Sequence, residues 1–424
     1  MGQSRNDFSG KVDTTPTWSQ LESLASAHGE GFWMLDLERF RRNLDEFVRE
    51  FVQAGWKDTV VAWSLKTSWM PLVVRAAMNA GALLEVVSRH EYDLAAALGA
   101  DPASIVYNGP LKTRQDLDYA CGRGSLVHLD SLDEVADLVS LARLHRDRTF
   151  GLGLRANVDI RQSARGRFGI DAESGDLQRA FRQLAAEPNV AVNGLHLHVS
   201  AAREVAAFTR RIERLILLVG ELWPEGGGPE YLDIGGGFSG RMPESLSKQL
   251  GAPPSCPSAY AEAIVPALLR RWPTCGPRLI VEPGMALAAD TMQFAARVGA
   301  TKTIAGVRHA IVTASMHTVK PTLHKWDMPF RVVRSDNGAP TEEPTVVSGW
   351  TCMEEDVLSR GCRFKLERGD WLIFDNCGAY SFVLNPRFIR GTPAVLLYEP
   401  ERRWKVARPA DTVQAWLEPF RQPK

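Results

Sequence analysis

The sequence has no excess of charge of either sign, and it has no segment typical of secretion or membrane insertion. Lysine plus arginine number 50, as do aspartate plus glutamate, so the formal net charge of the 424 residues is +0. Proteins that bind nucleic acid usually carry a basic surplus, and we therefore expect no such partner. The polar N-terminus has no apolar core like that of a signal peptide, and no apolar run reaches the roughly 18 residues of a membrane span. We expect a cytoplasmic protein without membrane contact.

Cysteine is scarce and scattered along the chain. The six cysteines are Cys121, Cys256, Cys275, Cys352, Cys362 and Cys377. None of them form a C-x-x-C pair and no histidine pair has zinc-finger spacing, so no metal site is predicted. Small secreted domains use dense disulfide frameworks, and this large chain instead predicts reduced thiols.

Short apolar runs alternate with helical patterns through the first two thirds of the chain. Hydrophobic residues make up 45% and charged residues 24%, as in ordinary globular proteins. The alternation runs from about Gly31 to Ala289 and is typical of βα units around a parallel sheet. About eight such units in about 250 residues predict a (β/α)8 TIM barrel over residues 31–290.

The pattern changes after about Asp290. Strand-like runs are separated by glycine, proline and asparagine, and few helices intervene, which predicts an antiparallel β domain, a barrel or sandwich, over residues 291–424. Asn337–Pro344 is predicted to be a surface turn, and the last residues, from Arg402, a helix with a frayed tail.

Three segments of the predicted barrel carry chemically useful residues. Lys66 ends the apolar run VVAWSLK. Burial there would lower the pKa of the lysine and favour Schiff-base chemistry. The alternative is a lysine whose amine extends into solvent. Gly235, Gly236 and Gly237 follow a strand, as in a phosphate loop or a tight turn. His196 and His198 share one strand face and suit a metal, a stacked ring or a packed core.

Three further residues are candidates for chemistry. Glu282 follows the run LIV, and an acid at the carboxyl end of a barrel strand is typical of a functional residue. Cys352 lies in GWTCMEED. A single cysteine is usually a small buried apolar residue, and its thiol is reactive only if it is exposed and activated by nearby charges. Tyr380 lies in NCGAYSF and either donates to a phosphate or packs.

Taken in order, these segments resemble the fold type III, PLP-dependent amino-acid decarboxylases, which include diaminopimelate, ornithine and arginine decarboxylases. The resemblance extends roughly from Trp33 to Pro400. The nine matching segments are Trp63–Ser68, Ser88–Glu91, Asn108–Thr113, Arg167–Gly169, Gly194–Ala201, Leu232–Phe238, Glu282–Gly284, Gly349–Cys352 and Gly378–Tyr380.

The resemblance implies a role for each candidate residue. Lys66 would hold pyridoxal 5'-phosphate (PLP) as a Schiff base, and His198 would stack on its ring. Glu282 would pair with the pyridinium nitrogen and keep the ring an electron sink. Gly235–Gly237 and Tyr380 would hold the phosphate.

The resemblance also implies the reaction and the assembly. The chain would be an α-decarboxylase in which Cys352, contributed by a partner subunit, reprotonates the product carbon. Such a shared site implies a homodimer. Residues 1–30 would join residues 291–424 in the second domain.

Several positions depart from the family pattern. Met285 replaces the arginine that follows E-P-G and reaches the phosphate, and Met353 replaces an acid that binds a distal amine. The family's R-P-A-L-Y runs here from Lys320, a cation for a carboxylate, to His324. Glu354 is a neighbouring acid. These departures predict a substrate that is not a plain diamino acid, such as an amino-acid conjugate of siderophore or peptide natural-product assembly.

Two alternatives share these residues. A PLP-dependent racemase or epimerase has the same lysine and glycine segment, but Glu282 favours a protonated ring suited to decarboxylation. A non-catalytic homologue that binds a protein is suggested by Met285, Met353 and His324. The retained reactive residues argue against it.

Overall fold

A computed structural model of the chain describes residues 16–160, 165–199, 202–250, 256–336, 341–399 and 403–420. The chain divides into two compact units. The barrel unit comprises Leu37–Asp290, and the β unit comprises Met1–Asp36 with Thr291–Lys424. Among the described residues, none of the helices combines the length and the apolar character needed to span a bilayer.

Helices and strands alternate through most of the chain. The α-helices are α1 (Trp18–His28), α2 (Leu37–Gln53), α3 (Pro71–Asn79), α4 (Arg89–Ala97), α5 (Arg114–Cys121), α6 (Leu132–Leu144), α7 (Asp176–Ala185), α8 (Val205–Leu222), α9 (Glu244–Leu250), α10 (Pro257–Arg271), α11 (Gly284–Ala288), α12 (Met316–Val319) and α13 (Val413–Leu417). The strands are β1 (Gly31–Leu35), β2 (Thr59–Ser64), β3 (Leu83–Val86), β4 (Ile105–Tyr107), β5 (Leu126–Leu129), β6 (Phe150–Asn157), β7 (Ile170–Asp171), β8 (Val190–His196), β9 (Tyr231–Asp233), β10 (Arg278–Val281), β11 (Met292–Ile304), β12 (Val307–Val312), β13 (Phe330–Val333), β14 (Glu342–Ser348), β15 (Val357–Phe364), β16 (Trp371–Phe374), β17 (Ala394–Glu399) and β18 (Arg403–Arg408).

Eight parallel strands close into a barrel in the barrel unit. Their order is β2-β3-β4-β5-β6-β8-β9-β10, and β10 returns to β2 where Leu279 pairs with Thr59. The short strand β7 extends β6 outside this ring. Because all eight strands run the same way, their carboxyl ends collect at one end of the barrel.

Apolar residues at helical spacing and capping residues account for the helices around the barrel. In α2, the buried residues Phe40, Leu44, Phe47 and Phe51 recur at helical spacing, so one face packs inward. Ser88 caps helix α4, because its hydroxyl accepts a hydrogen bond of 3.1 Å from the Glu91 amide. A cap of this type is worth about 1 kcal/mol, and it fixes where the helix begins.

Glycine makes room for large side chains inside the barrel. A Cβ at Gly153 would stand 2.6 Å from the Tyr231 hydroxyl, and one at Gly194 would overlap the ring of the same tyrosine. Tyr231 is buried and packs with Ala62, Val106 and Ile280. The two glycines therefore let an aromatic ring occupy the barrel interior, directly below the polar residues of the candidate site.

A nine-stranded sheet forms the β unit. Strand β1 pairs antiparallel with β11 and parallel with β17, so the N-terminal strand lies inside the sheet. Most other pairings are antiparallel, apart from β12 with β14. The core residues are Leu21, Phe32, Met34, Ala295, Trp371, Ile373, Ala394 and Leu396. A TIM barrel with a separate, mostly antiparallel sheet confirms the predicted fold class.

Three local details differ from the sequence pattern. Strand β1 belongs to the β unit, although the alternating pattern places it at the start of the barrel. Arg403–Arg408 is a strand paired with β17, and among the described residues of the segment predicted to be a terminal helix only Val413–Leu417 is helical. Within the predicted surface turn, residues 337–340 lie outside the described residues, and Glu342–Pro344 begin β14. In each case strand pairing overrides the local pattern.

Candidate active site

The amine of Lys66 lies at the carboxyl end of the barrel, just after β2. Its Nζ pairs with Glu85 Oε2 on the neighbouring strand β3 and lies 3.4 Å from the Ser64 hydroxyl. The Lys66 side chain is 39% exposed, whereas that of Glu85 is 1% exposed. A buried carboxylate thus holds an amine that remains reachable from solvent, rather than leaving it to extend freely into water.

Asn108 connects this ion pair to a second acid. Its Nδ2 donates to Glu282 Oε1 over 2.6 Å and to Glu85 Oε1 over 3.3 Å. Asn108 follows β4 and Glu282 follows β10, and both are buried. One amide therefore orients two carboxylates that come from opposite parts of the chain.

Glu282 stands in a crowded acidic cluster. Oxygen atoms of Glu282 and Asp233 and a ring nitrogen of His196 all lie within 4.8 Å of one another. Burial, with the charge of Glu85, raises the pKa of Glu282 to about 7. Burial and the charge of Glu282 raise the pKa of Asp233 well above its usual range. Two carboxyl groups this close cannot both ionise freely, so the pair holds a proton near neutral pH.

The cluster fits a cationic ring nitrogen. Among the described residues, Asp233 Oδ2 is buried without a hydrogen-bond partner, as are both ring nitrogens of His196. A protonated pyridine nitrogen placed beside Glu282 would supply the positive charge that these carboxyl groups lack. The acidic cluster therefore suits the pyridinium of PLP.

His196 belongs to a buried stack of rings. It lies 4.9 Å from the ring of His128 with an interplanar angle of 25°. His128 contacts the Asn108 side-chain oxygen and hydrogen-bonds the Tyr231 hydroxyl over 3.0 Å. Burial lowers the pKa of His128 to about 3 and that of His196 well below its usual value. Both rings are neutral at pH 7 and support the acidic cluster from below.

His198 faces the glycine segment. The Gly236 amide donates to His198 Nδ1 over 2.9 Å, so the ring is neutral with its proton on Nε2. Burial and the positive charges of neighbouring arginines lower the pKa of His198 well below its usual value. A Cβ at Gly235 would stand 2.6 Å from that of His198, and one at Gly236 would stand 2.6 Å from the Glu282 carbonyl oxygen. Only glycine permits these approaches.

Arg211 supports the glycine segment from helix α8. Its guanidinium donates to the carbonyl oxygens of Gly236 over 3.0 Å and Val199 over 2.5 Å, and also to that of Ala202. Arg211 is fully buried, and burial lowers its pKa to about 10, so it stays charged at pH 7. A fixed cation beneath backbone amides suits a phosphate group.

Cys352 lies in an exposed turn of the β unit, next to Met353 and Glu354, which are exposed as well. The buried Asp356 holds this turn, because its carboxylate accepts from the amides of Met316 over 2.7 Å and Thr351 over 3.1 Å. The thiol is therefore presented on a braced turn rather than packed as a core residue.

The remaining predicted residues also belong to the β unit. Lys320 is buried, and its Nζ donates to the Trp326 carbonyl over 2.7 Å, while burial lowers its pKa to about 8. His324 is exposed, with Nδ1 3.0 Å from the Pro321 carbonyl oxygen. Tyr380 is half-buried and has a positive φ of 66°, a strained backbone for a residue with a side chain.

The structure thus brings together four of the predicted elements in the barrel unit: Lys66, His198, Gly235–Gly237 and Glu282. The other candidates, Cys352, Tyr380, Lys320, His324, Met353 and Glu354, belong to the β unit. Sequence reasoning missed Glu85, His128 and Arg211. Asn108 and Asp233 were part of matching segments but had no role. Of these, Asp233 offered a signal, because it directly precedes the glycine segment.

A barrel with an accessible lysine, a buried acid and the glycine segment has the features of a PLP-binding protein. The family described as "Pyridoxal-dependent decarboxylase, pyridoxal binding domain" matches residues 37–289. The chain belongs to this family. The predicted family, the cofactor PLP and the enzyme class, a PLP-dependent decarboxylase of the diaminopimelate, ornithine and arginine type, are therefore confirmed.

Two relatives illustrate the extent of the sequence similarity. The diaminopimelate decarboxylase of Pseudomonas aeruginosa is 28% identical over 373 residues, which are 84% of this chain and 85% of that protein. The diaminopimelate decarboxylase of Bacillus subtilis is 25% identical over 397 residues, which are 89% and 88% of the two chains.

Solved structures share the fold. The diaminopimelate decarboxylase of Methanocaldococcus jannaschii superposes with a TM-score of 0.84 at 22% identity, covering 95% of this chain and 94% of that one. The arginine decarboxylase of Paramecium bursaria Chlorella virus gives a TM-score of 0.75 at 20% identity, covering 90% and 100%. At these identities the likeness concerns the fold.

Proposed function

We propose that this decarboxylase acts at the α-carboxyl group of an amino acid or amino-acid conjugate that is not a plain diamino acid. In this proposal Lys66 holds PLP, His198 packs on its ring, and Glu282 meets the ring nitrogen. Gly235–Gly237 and Tyr380 hold the phosphate. The observation that carries these roles is the network of Lys66, Glu85, Asn108 and Glu282 at one end of the barrel.

The barrel residues hold the reactive groups in position before substrate binds. Glu85 holds the Lys66 amine in place, and Asn108 keeps Glu282 turned toward the same space. PLP, when bound, supplies an electron sink for the electron pair left by the departing carboxyl group. A carboxylate at Glu282 stabilises a proton on the ring nitrogen, because an opposite charge within a few ångströms favours the charged form.

We assign the final proton transfer to Cys352. Its thiol is exposed on a turn that Asp356 braces, so it is available to donate a proton to the product carbon in the site of a second subunit. The proposal therefore includes a homodimer with shared active sites.

The substrate proposal is based on the same turn. The Met353 side chain is apolar and 36% exposed, and a distal ammonium placed against it would lose hydration without gaining a partner. The adjacent Glu354 and, on another loop of the β unit, His324 are exposed and suit a longer polar tail. The buried Lys320 amine braces the loop that carries His324 through its bond to Trp326.

The experiment has two parts. Purified protein with PLP is reduced with borohydride and digested, and the pyridoxyl group is located by mass spectrometry. We expect it on Lys66, absent from Lys66→Ala and retained in Lys57→Ala, a variant of an exposed lysine on the preceding loop. Reduced protein without an adduct on Lys66 would overturn the cofactor assignment.

The second part measures CO₂ release from diamino acids and from N-acylated or otherwise enlarged amino acids. We expect turnover of a conjugate and at least about tenfold lower kcat/KM for meso-diaminopimelate, ornithine and arginine, since one missing charged contact is worth about this factor. Efficient turnover of a plain diamino acid would overturn the substrate assignment and leave the cofactor assignment intact.

A further inference from the structure

A small cavity of the β unit lies beside the turn that carries Cys352. Its volume is about 240 Å³, and Trp350, two residues before Cys352, forms part of its wall. Because two residues of chain span at most about 7 Å, this wall lies close to the proposed proton donor. The Trp350 amide donates to the Ala314 carbonyl over 3.2 Å, so a backbone hydrogen bond fixes the tryptophan.

Arg390 brings a positive charge to this cavity. Its guanidinium carbon lies 4.8 Å from the centre of the Trp350 ring, and the residue is exposed. Among the described residues, the Arg390 guanidinium has no carboxylate within ion-pair distance and no hydrogen-bond acceptor. Stacking on an aromatic ring holds a guanidinium in place and leaves its N–H donors available. An anion in the cavity can therefore bind to Arg390.

The acidic residues that line the cavity are already paired with arginines outside its wall. The ion pairs are Asp411 with Arg387 and Arg408, Glu30 with Arg297, and Arg297 with Glu22. With Arg390 the group contains four arginines and three carboxylates, so one positive charge remains. The exposed acids Glu354 and Glu355 follow Cys352 in the chain and do not line the cavity.

The loop around Arg390 has a fixed conformation. The Thr392 amide donates to Asp411 Oδ2 over 3.3 Å, and the Asp411 amide donates to the Thr392 carbonyl over 2.9 Å. Ile389, directly before Arg390, has a φ of 63°, which is rare for a β-branched residue. Such a strained backbone persists only where the surroundings hold it, and it is common at binding sites. The loop therefore positions the guanidinium before any ligand binds.

We propose that Arg390 binds a carboxylate at the distal end of the substrate, which is therefore an amino acid with an acidic tail. The proposal rests on the proposed function, because it requires the Cys352 turn to contact a bound substrate. One surplus positive charge matches a carboxylate better than a phosphate, which carries up to about two negative charges at pH 7. The cavity volume of about 240 Å³ is below the roughly 300–1,000 Å³ of sites that enclose a whole small molecule, so it fits the end of a tail. Trp350 is a positioning residue that holds the guanidinium.

The test uses two lysine derivatives whose tails have equal length. Nε-succinyl-L-lysine ends in a carboxylate, and Nε-succinamoyl-L-lysine ends in a neutral amide. CO₂ release by the holoenzyme should give at least about tenfold higher kcat/KM for the succinyl compound, the value of one charge-assisted contact. Arg390→Gln should remove this preference by raising KM for the succinyl compound, with little change in kcat. Arg390→Lys keeps the cation and should keep part of the preference.

A second readout does not require turnover. Phenylglyoxal modifies exposed arginines, and peptide mass mapping measures the modification at Arg390. The succinyl compound should protect Arg390, whereas the succinamoyl compound should not. The matched control is Arg368, an exposed arginine of the β unit that does not line the cavity. Its modification should be the same with either compound, and Arg368→Gln should keep the preference for the succinyl compound.

Each failure points to a different assignment. Equal kcat/KM of the two compounds with the unmodified protein, or an unchanged preference in Arg390→Gln, would overturn the role of Arg390 and leave the proposed function intact. If the succinyl compound neither releases CO₂ nor protects Arg390, the acidic tail is wrong. Borohydride labelling of Lys66 and CO₂ release from meso-diaminopimelate in the same samples then show whether the proposed function fails as well. Circular dichroism confirms that each variant is folded.

Discussion

Lys66 and Glu85 form an ion pair between neighbouring barrel strands, in which the carboxylate is buried and the amine is accessible. A carboxylate beside a nitrogen favours its protonated form. In the PLP-bound protein, Glu85→Gln should therefore move the pH-dependent change in cofactor absorbance to lower pH by about one unit or more. A pH titration of the absorbance spectrum measures the shift. Glu244→Gln, an exposed residue paired with Lys248, should titrate like the unmodified protein, and an unshifted Glu85→Gln curve would contradict the prediction.

The acidic cluster predicts how pH affects the cofactor-free chain. The pKa of Glu282 is raised from 4.5 to about 7 in the folded state, so the folded chain retains a proton that the unfolded chain releases. The resulting stability is present below pH 4.5 and is lost as pH rises through 7. At 1.36 kcal/mol per pKa unit, the loss amounts to about 3 kcal/mol.

Urea unfolding of the cofactor-free protein at pH 5 and pH 8 measures this effect. Relative to the unmodified chain, Glu282→Gln should lose less stability over this range, since it has no proton to release and no charge to act on Asp233. The glutamine oxygen can keep the hydrogen bond from Asn108. If both proteins lose the same free energy of unfolding between the two pH values, the prediction is wrong.

The glycine segment predicts a steric effect. In Gly236→Ala, the new Cβ would stand 2.6 Å from the Glu282 carbonyl oxygen, so the loop must move away from β10. We expect PLP affinity to fall at least about tenfold and the melting temperature to decrease. Gly220→Ala is the control, because Gly220 lies in α8 with no atom near the new Cβ. That variant should be about 0.5–1 kcal/mol more stable with unchanged PLP affinity.

The proposed shared site predicts complementation between two inactive proteins. Lys66→Ala and Cys352→Ala should each lose most activity alone. Mixing equal amounts under conditions of subunit exchange should restore about one quarter of the normal activity, because half of the dimers then carry one intact site. If each chain built its site alone, the mixture would stay inactive.

The exposed turn predicts a change in substrate preference. Met353→Asp adds a carboxylate next to Cys352, where it can pair with a distal ammonium. We expect kcat/KM for meso-diaminopimelate to rise about tenfold, the value of one charge-assisted contact. Val413→Asp places the same charge on a side chain that is 78% exposed elsewhere and should change nothing. An unchanged preference in Met353→Asp would exclude this position from substrate contact.

The barrel was predictable because its strands repeat a short-range pattern. Lys66, Gly235–Gly237 and Glu282 each follow such a strand, and parallel strands bring their carboxyl ends together. Glu85, Asn108 and His128 were harder to assign, since a single polar residue within a strand or just after one has no distinctive spacing. Their importance comes from which strands are adjacent around the ring, and that adjacency is a three-dimensional property.

The β unit was predicted less well in its details. Strand β1 pairs with β11 and β17, far along the chain, and no local pattern indicates such partners. The segment Arg403–Arg408 was predicted to be helical, but its antiparallel pairing with the preceding strand β17 makes it a strand.

The position of β1 has a consequence for synthesis of the protein. Its residues Phe32, Trp33 and Leu35 are fully buried in the finished sheet, yet β11 leaves the ribosome roughly 250 residues later, after about 10 to 50 seconds at the usual pace of translation. During that interval the barrel has time to fold, but the apolar strand β1 has no partner strand for its backbone hydrogen bonds. A chaperone or a soluble fusion that covers the first forty residues should therefore raise the yield of native enzyme more than one attached at the other end.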